Sequence, residues 1–256
     1  MQEIPTTCIV IPCYNEEKGL SLAEYSAFLA CTPDIIICFV NDGSTDKTLQ
    51  PLNLLQEKYS HQVRILSLLQ NSGKAEAVRK GVVYCNQNFD HKFVGYLDAD
   101  LATSLQEFMN ITNYLKEGVV FCFGSRIRKI GSTIIRENSR FLVGRVIATF
   151  ISLVLGLKVY DTQCGCKVFT KKTSEILFKK EFLSKWLFDV ELFFRMMTLY
   201  GKEKAIQKMH EAPLKSWIEK GNSKVKVTYF FKLWIDLYQI NKKYKKALQN
   251  SPNSNF

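Results

Sequence analysis

The sequence predicts an α/β protein with a mainly parallel central sheet flanked by helices. Two observations carry that prediction. Short β-rich runs alternate with amphipathic stretches through the first half of the chain. The runs are compact and apolar, as strands covered by helices on both faces are. Sheets of this kind bind ligands beyond the carboxyl ends of their strands, so the polar segment after each run is where chemistry is to be sought.

In chain order, strands are expected at Thr6–Pro12 (TTCIVIP), Ile35–Val40 (IIICFV), Val63–Leu68 (VRILSL), Phe93–Leu97 (FVGYL) and Val119–Phe123 (VVFCF). Pro12 closes the first, because it has no N–H for a ladder. Helices are expected near Glu17–Leu29, Thr45–Tyr59, Lys74–Asn88 and Ser104–Lys116. Ser44 or Thr45 can cap the second, Gly73 opens the third, and Thr103 or Ser104 can cap the fourth.

The second half reads differently. Arg126–Arg145 is basic and broken by Gly131, and Phe141–Leu157 is almost wholly apolar. A mixed segment, Asp161–Thr170, precedes a helix at Trp186–Tyr200. The tail from Val225 to Leu248 joins aromatics to lysines, and Asn250–Phe256 is polar. The shift near Arg126 divides residues 1–126 from 127–226, as two halves of one fold, with 227–256 as a C-terminal helix and polar tail.

Composition narrows the partners. The 256 residues suit one large domain, and 46% apolar with 23% charged residues excludes wholesale disorder. A net charge of +11 favours anionic partners: nucleic acid, nucleotides, phosphates or an anionic membrane surface. No nucleic-acid-binding motif is present, and the basic excess gathers beside apolar segments, so nucleic acid is not expected. The eight cysteines lack C-x-x-C spacing and read as reduced thiols. The N-terminal residues do not read as a signal peptide, and a cytoplasmic protein is expected.

Asp98-Ala99-Asp100 is the sharpest local feature. It follows a strand, and two carboxylates at i and i+2 can converge on one side of an extended chain. Converging anions repel unless a cation lies between them, and a hard divalent ion, Mg²⁺ or Mn²⁺, suits their oxygens. A solvated turn before a helix cap is the plainer alternative. Similar pairs of readings hold at the other strand ends. In Pro12-Cys13-Tyr14-Asn15-Glu16, Tyr14 and Asn15 can hold a base or sugar. In Asn41-Asp42-Gly43-Ser44-Thr45-Asp46, Asp42 can accept from a base N–H or a ribose hydroxyl. In Asn71-Ser72-Gly73-Lys74, Lys74 is available to a phosphate. Each is also ordinary turn chemistry. Neither a P-loop nor a G-x-G-x-x-G fingerprint is present.

VIPCYNEE, VNDGSTDKT, NSGKAEAVRKG and YLDAD, in that order, resemble the nucleotide-sugar half of family 2 glycosyltransferases with the GT-A fold. GSRI, the apolar stretch after Arg140, DTQCGCKVF and WLFDVEL resemble the branch that glycosylates dolichyl and other polyprenyl phosphates. The likeness runs to about Lys226. Cys166 departs from it, since relatives commonly carry a large residue there, and Asn222 interrupts the usual Gly-Ser-Lys.

The resemblance implies roles. Residues 1–126 would bind the donor and 127–226 the acceptor lipid phosphate. Pro12, Tyr14, Asn15, Glu16, Asp42, Gly73, Lys74 and Asp98 would line the nucleotide-sugar site. Asp100 would carry the metal, with Asp98 as a further ligand. Gln163 and Lys167 would lie near the donor sugar and phosphates, and Asp189 and Glu191 near the reacting centre. Arg126 and Arg140 would meet the acceptor phosphate, with Ser223 and Lys224 near the diphosphate. Asp189 and Glu191, two apart, diverge if that segment is helical, so only one of them faces the site.

The implied reaction is an inverting, metal-dependent transfer of a hexose, glucose before mannose, from UDP-glucose or GDP-mannose to a polyprenyl phosphate. A relative with a soluble sugar or glycan acceptor is the alternative. Phe141–Leu157 is 17 residues, about 25 Å of helix against a hydrocarbon core of about 30 Å, and contains Arg145. It is expected to lie in the plane of a membrane or in the core rather than to span. Arg128, Lys129, Arg136, Arg140 and Arg145 can then meet headgroups or the acceptor phosphate. Peripheral attachment to the cytosolic face of a membrane is the resulting expectation.

Overall fold

The structure, a computed structural model, describes residues 7–116, 118–220 and 229–249. Five strands and four helices alternate first: β1 (Thr7–Cys13), α1 (Leu22–Cys31), β2 (Ile35–Asp42), α2 (Leu49–Lys58), β3 (Val63–Leu68), α3 (Lys74–Asn88), β4 (Phe93–Leu97), α4 (Leu105–Thr112) and β5 (Phe121–Ser125). There follow β6 (Thr133–Ile135), α5 (Asn138–Leu155), β7 (Cys166–Thr170), α6 (Lys171–Leu177), α7 (Phe188–Tyr200), α8 (Lys202–Gln207), β8 (Met209–Pro213), β9 (Ser216–Ile218) and α9 (Tyr229–Gln249).

The main sheet has the order β3-β2-β1-β4-β7-β5-β8. Its first four strands are parallel, β7 runs antiparallel to both β4 and β5, and β8 is parallel to β5. The fold is therefore α/β and mainly parallel, as expected. The inserted β7 comes from the DTQCGCKVF segment, which carried no strand pattern of its own. A second sheet pairs β6 with β9.

β2 is buried at every position, which explains its unbroken apolar run. Val10, Cys38, Val78, Val94, Phe193 and Ile240 belong to the core under α3, α7 and α9. Ile9, Ile37, Tyr25, Leu52 and Phe108 belong to the core under α1, α2 and α4. Each such fully buried large side chain contributes about 1.5–3 kcal/mol.

Two helix starts differ from expectation: α1 begins at Leu22, behind a Ser21 cap, rather than near Glu17, and α2 also begins late. Ser104 caps α4, accepting from the Glu107 N–H at 3.1 Å. Neither Ser44 nor Thr45 caps α2, which begins only after Thr48. Those two residues are committed to a neighbouring loop instead.

Candidate active site

The carboxyl ends of β1, β2 and β4 open onto a cavity of about 1100 Å³. Pro12, Tyr14, Glu16, Asp42, Gly73, Lys74, Asp98, Asp100 and Arg126 all line it. The strand ends that looked separately suggestive in sequence thus converge on one space.

Much of the polar sequence there builds the loops themselves. The Asn15 N–H donates to Ser44 Oγ at 3.0 Å, and the Thr45 N–H donates to Asn15 Oδ1 at 2.9 Å. The Glu16 N–H donates to Thr48 Oγ1 at 2.8 Å, and the Glu17 N–H to Asp46 Oδ2 at 3.1 Å. Asn15, expected on the base or sugar, therefore cross-links the loops after β1 and β2, and the cavity lining does not include it. Its backbone takes a positive φ of 52°, which Asn tolerates better than most residues. Asp42 is buried, and its two oxygens accept from the Ser72 and Gly73 N–H groups, each at 2.8 Å. It draws the loop after β3 over the sheet and still borders the cavity.

Gly73 precedes α3 with φ 93°, which L-residues avoid, and so turns the chain to present Lys74 at the first helical position. Lys74 Nζ lies 2.5 Å from Asp98 Oδ1. Burial opposes its charge, but Asp98 and then Asp189 outweigh burial and hold the ammonium above the ordinary lysine range. Asp98 itself needs Gly165. The Asp98 N–H donates to the Gly165 carbonyl at 3.2 Å, and a Cβ at 165 would overlap the Asp98 carboxylate. Tyr25, from α1, donates its hydroxyl to the Ala99 carbonyl at 3.1 Å and fixes the loop between the two aspartates.

Asp100 accepts from the Ala102 N–H at 3.0 Å. Burial, and then the neighbouring Asp98 charge, push its carboxyl above the usual range. Among the described residues no three His, Cys, Asp or Glu side chains converge as a self-sufficient metal site. A pair of carboxylates at a cavity mouth nevertheless fits a hard divalent ion completed by phosphate oxygens and water.

Arg126 forms a bidentate pair with Asp161: Nε–Oδ2 at 2.6 Å and Nη2–Oδ1 at 2.8 Å, with its own N–H on Oδ2 at 3.1 Å. Burial opposes both charges, yet each partner wins for the other, and the Asp161 carboxyl falls to about 2. The Arg126 guanidinium also lies over the Trp217 ring, 5.3 Å from its centre. A second cavity of about 260 Å³ adjoins here. Both cavities are lined by Arg126, Arg136, Gly144, Ile147 and Trp186, and the second continues between Phe141, Leu187 and Leu233. Gln163, expected near the donor sugar, lines this second cavity and not the first.

Lys167, Asp189 and Glu191 line neither cavity. Lys167 is fully buried on β7, with Nζ donating to the Cys164 carbonyl and lying 2.6 Å from Asp189 Oδ1. Tyr96 donates its hydroxyl to that same Asp189 oxygen. α7 is helical from Phe188, so Glu191 diverges from Asp189 as expected. It accepts from Arg195 at 2.9 Å, Tyr244 at 2.7 Å and the Leu183 N–H at 2.8 Å. Lys167, expected beside the donor sugar and phosphates, and Asp189 and Glu191, expected near the reacting centre, thus form a buried polar layer behind the cavity wall. Arg145 lines the second cavity and donates to the Tyr160 carbonyl at 2.6 Å, over the Tyr160 ring. Ser223, Lys224 and the Arg140 side chain lie outside the described residues.

Lys185, Trp186 and Trp217 complete the larger cavity without having been singled out in sequence. Trp186 opened the WLFDVEL segment, but nothing local marks which of its residues face a ligand.

The family model for glycosyl transferase family 2 matches residues 8–178. A dolichyl-phosphate beta-glucosyltransferase of Trichomonas vaginalis is 33% identical over 254 residues, covering 91% of this chain and 70% of its own. A dolichyl-phosphate beta-glucosyltransferase of Drosophila melanogaster is 31% identical over 243 residues, covering 85% and 68%. Among solved structures, glucosyl-3-phosphoglycerate synthase from Mycobacterium tuberculosis, crystallised with Mn²⁺, UDP and glucosyl-3-phosphoglycerate, shares the fold. Its TM-score is 0.64 at 16% identity, over 96% of this chain and 80% of that one.

Proposed function

The chain belongs to glycosyl transferase family 2 and is a glycosyltransferase with a GT-A-type fold; from that premise we propose that it transfers glucose from UDP-glucose to a polyprenyl phosphate of the dolichyl type. One observation carries the reading. The cavity at the strand ends joins a second one, with Arg126 and Arg136 at the junction and apolar residues of α5 and α9 beyond. That is the order in which a nucleotide sugar, an acceptor phosphate and a hydrocarbon chain would have to lie. The donor half is residues 1–126 and the acceptor half 127–226. Mannose from GDP-mannose is the next donor to test.

In this mechanism the loops holding Tyr14, Glu16 and Asp42 receive the nucleoside. Lys74 faces the diphosphate, where negative charge grows as the anomeric C–O bond breaks. Asp100, with Asp98, would hold Mg²⁺ or Mn²⁺, which when bound supplies further charge stabilisation to the leaving diphosphate. Arg126 and Arg136 orient the acceptor phosphate, and Asp161 keeps Arg126 in place. A phosphate monoester with a second pKa of about 6 is already largely dianionic at neutral pH and needs no strong base. One of its oxygens forms the new bond to the anomeric carbon as the nucleoside diphosphate departs from the opposite face, inverting that centre.

No helix of the described residues is long and apolar enough to cross a membrane. Leu142, Val146, Phe150 and Leu153 form an exposed stripe on α5, and Trp234, Ile235 and Tyr238 are exposed on α9. The Phe150 and Trp234 rings meet edge to face with centres 5.3 Å apart, which makes the two stripes continuous. The reading therefore includes peripheral attachment at the cytosolic face, with this surface in the interface.

The test is transfer of radiolabelled sugar from UDP-glucose or GDP-mannose into butanol-extractable lipid, with polyprenyl phosphate and Mn²⁺ or Mg²⁺. Label in the lipid phase, lost with chelator and in Asp100→Ala, supports the reading. Transfer to a soluble sugar with none to lipid sinks the acceptor assignment.

A further inference from the structure

The Lys185–Trp186 wall of the larger cavity is held from the C-terminal helix. Ser184 is 3% exposed, and its hydroxyl oxygen accepts from the Leu187 N–H at 2.9 Å and the Trp186 N–H at 3.3 Å. The same hydroxyl donates to Asp236 Oδ2 on α9 at 2.6 Å. On its other side the segment is pinned to α3, where the Ala75 N–H donates to the Lys185 carbonyl at 3.2 Å. A Cβ at Gly73 would stand 2.9 Å from Lys185 Cδ, so the Lys185 stem lies directly against the turn that presents Lys74. The wall is thus clamped between the first turn of α3 and Asp236.

Asp236 is 8% exposed and forms no ion pair among the described residues. A buried carboxylate without a cation is a poor way to dock a helix, since an apolar side chain of similar volume would pack at least as well. Leu233, Leu237 and Ile240 already dock α9. What the carboxylate adds is direction: it fixes the rotamer of a hydroxyl that organises two cavity-wall amides.

We propose that Asp236 is a positioning residue for the donor site, acting through Ser184 on Lys185 and Trp186. The inference deepens the reading above and rests on it for the identity of the substrate. It makes the seating of α9, the helix with the exposed Trp234–Tyr238 stripe, a determinant of cavity geometry.

The experiment compares wild type, Asp236→Ala, Asp236→Asn, Ser184→Ala and Tyr244→Phe in the full chain, by amide hydrogen exchange over 184–188 and by steady-state transfer. Tyr244→Phe loosens a different polar tie of α9, to Glu191 and Arg195, and controls for helix docking alone. Expected are exchange at Trp186 and Leu187 about tenfold faster and kcat about tenfold to a hundredfold lower in Asp236→Ala and Ser184→Ala. Asp236→Asn keeps the acceptor oxygen and should stay near wild type, as should Tyr244→Phe. Unchanged exchange or unchanged kcat in Asp236→Ala overturns the proposal, and so do equal effects of Asp236→Ala and Tyr244→Phe. If wild type moves no sugar to polyprenyl phosphate, the substrate reading fails by itself. UDP affinity with Mn²⁺ then replaces kcat, and an Asp236→Ala affinity equal to wild type overturns the positioning role.

Discussion

Lys74 and Asp98 meet with their charged ends 2.5 Å apart at the mouth of the larger cavity, one on the first turn of α3 and the other just past β4. Their side chains are 23% and 40% exposed, so the pair adds little to stability. Its value is that both groups are held where a diphosphate can reach them. Lys74→Met should lower kcat/KM about a hundredfold, with an unfolding free energy within about 1 kcal/mol of wild type. Steady-state kinetics beside urea denaturation tests this, and a large loss of stability would contradict it.

Lys167 and Asp189 are the opposite case. The pair is buried, and removing one member strands the other. Lys167→Met should cost about 3–5 kcal/mol of stability, visible as a lower urea midpoint with unchanged slope. A variant of full stability but no activity would place Lys167 in contact with the donor sugar and phosphates instead.

Asp161 predicts an acid transition. Arg126 holds its folded-state carboxyl down, from 3.8 to about 2. A depressed carboxyl contributes stability that is fully present above its unfolded value and lost as pH falls through its folded value. The pair should therefore contribute about 2 kcal/mol above pH 4 that disappears between about pH 4 and pH 2. The stability–pH slope of wild type minus that of Asp161→Asn isolates the effect, which should vanish outside that window.

Gly165→Ala tests the seat of Asp98. The new methyl must displace the carboxylate or the strand beneath it. Transfer should fall at least tenfold while far-ultraviolet circular dichroism stays native, and Mn²⁺ should stabilise the UDP complex less than in wild type. Undiminished metal stabilisation would mean that Asp98 moves without consequence.

The legible part of the fold was the part with local grammar. Val63–Leu68, Lys74–Asn88 and Phe93–Leu97 have the bounds read from sequence, because each is a clean apolar or amphipathic run between turn residues. β7 was not legible: Cys166–Thr170 is five residues after a glycine, and its strand state comes from the two neighbours that pair with it. At the site, the residue types after each strand announced a polar end to the sheet. They could not separate Lys74, which borders the cavity, from Asn15, whose amide closes a backbone circuit. The burial of Lys167 was not legible for a related reason, since a lysine reads as a surface or ligand-facing residue until a buried carboxylate is seen beside it. Trp217 reaches the cavity through tertiary packing alone.

The insertion of β7 also sets an order of events. β4 ends at Leu97, but the strand that covers its open edge begins at Cys166. During synthesis the edge of β4 waits, unpaired, until the ribosome has delivered everything between. A nascent chain stopped near Arg126 would hold the loops that receive a nucleoside, yet lack Gly165 against Asp98 and Asp161 beside Arg126. Neither half should therefore function when expressed alone, and co-expressed halves should regain the site only as far as the second supplies that missing strand.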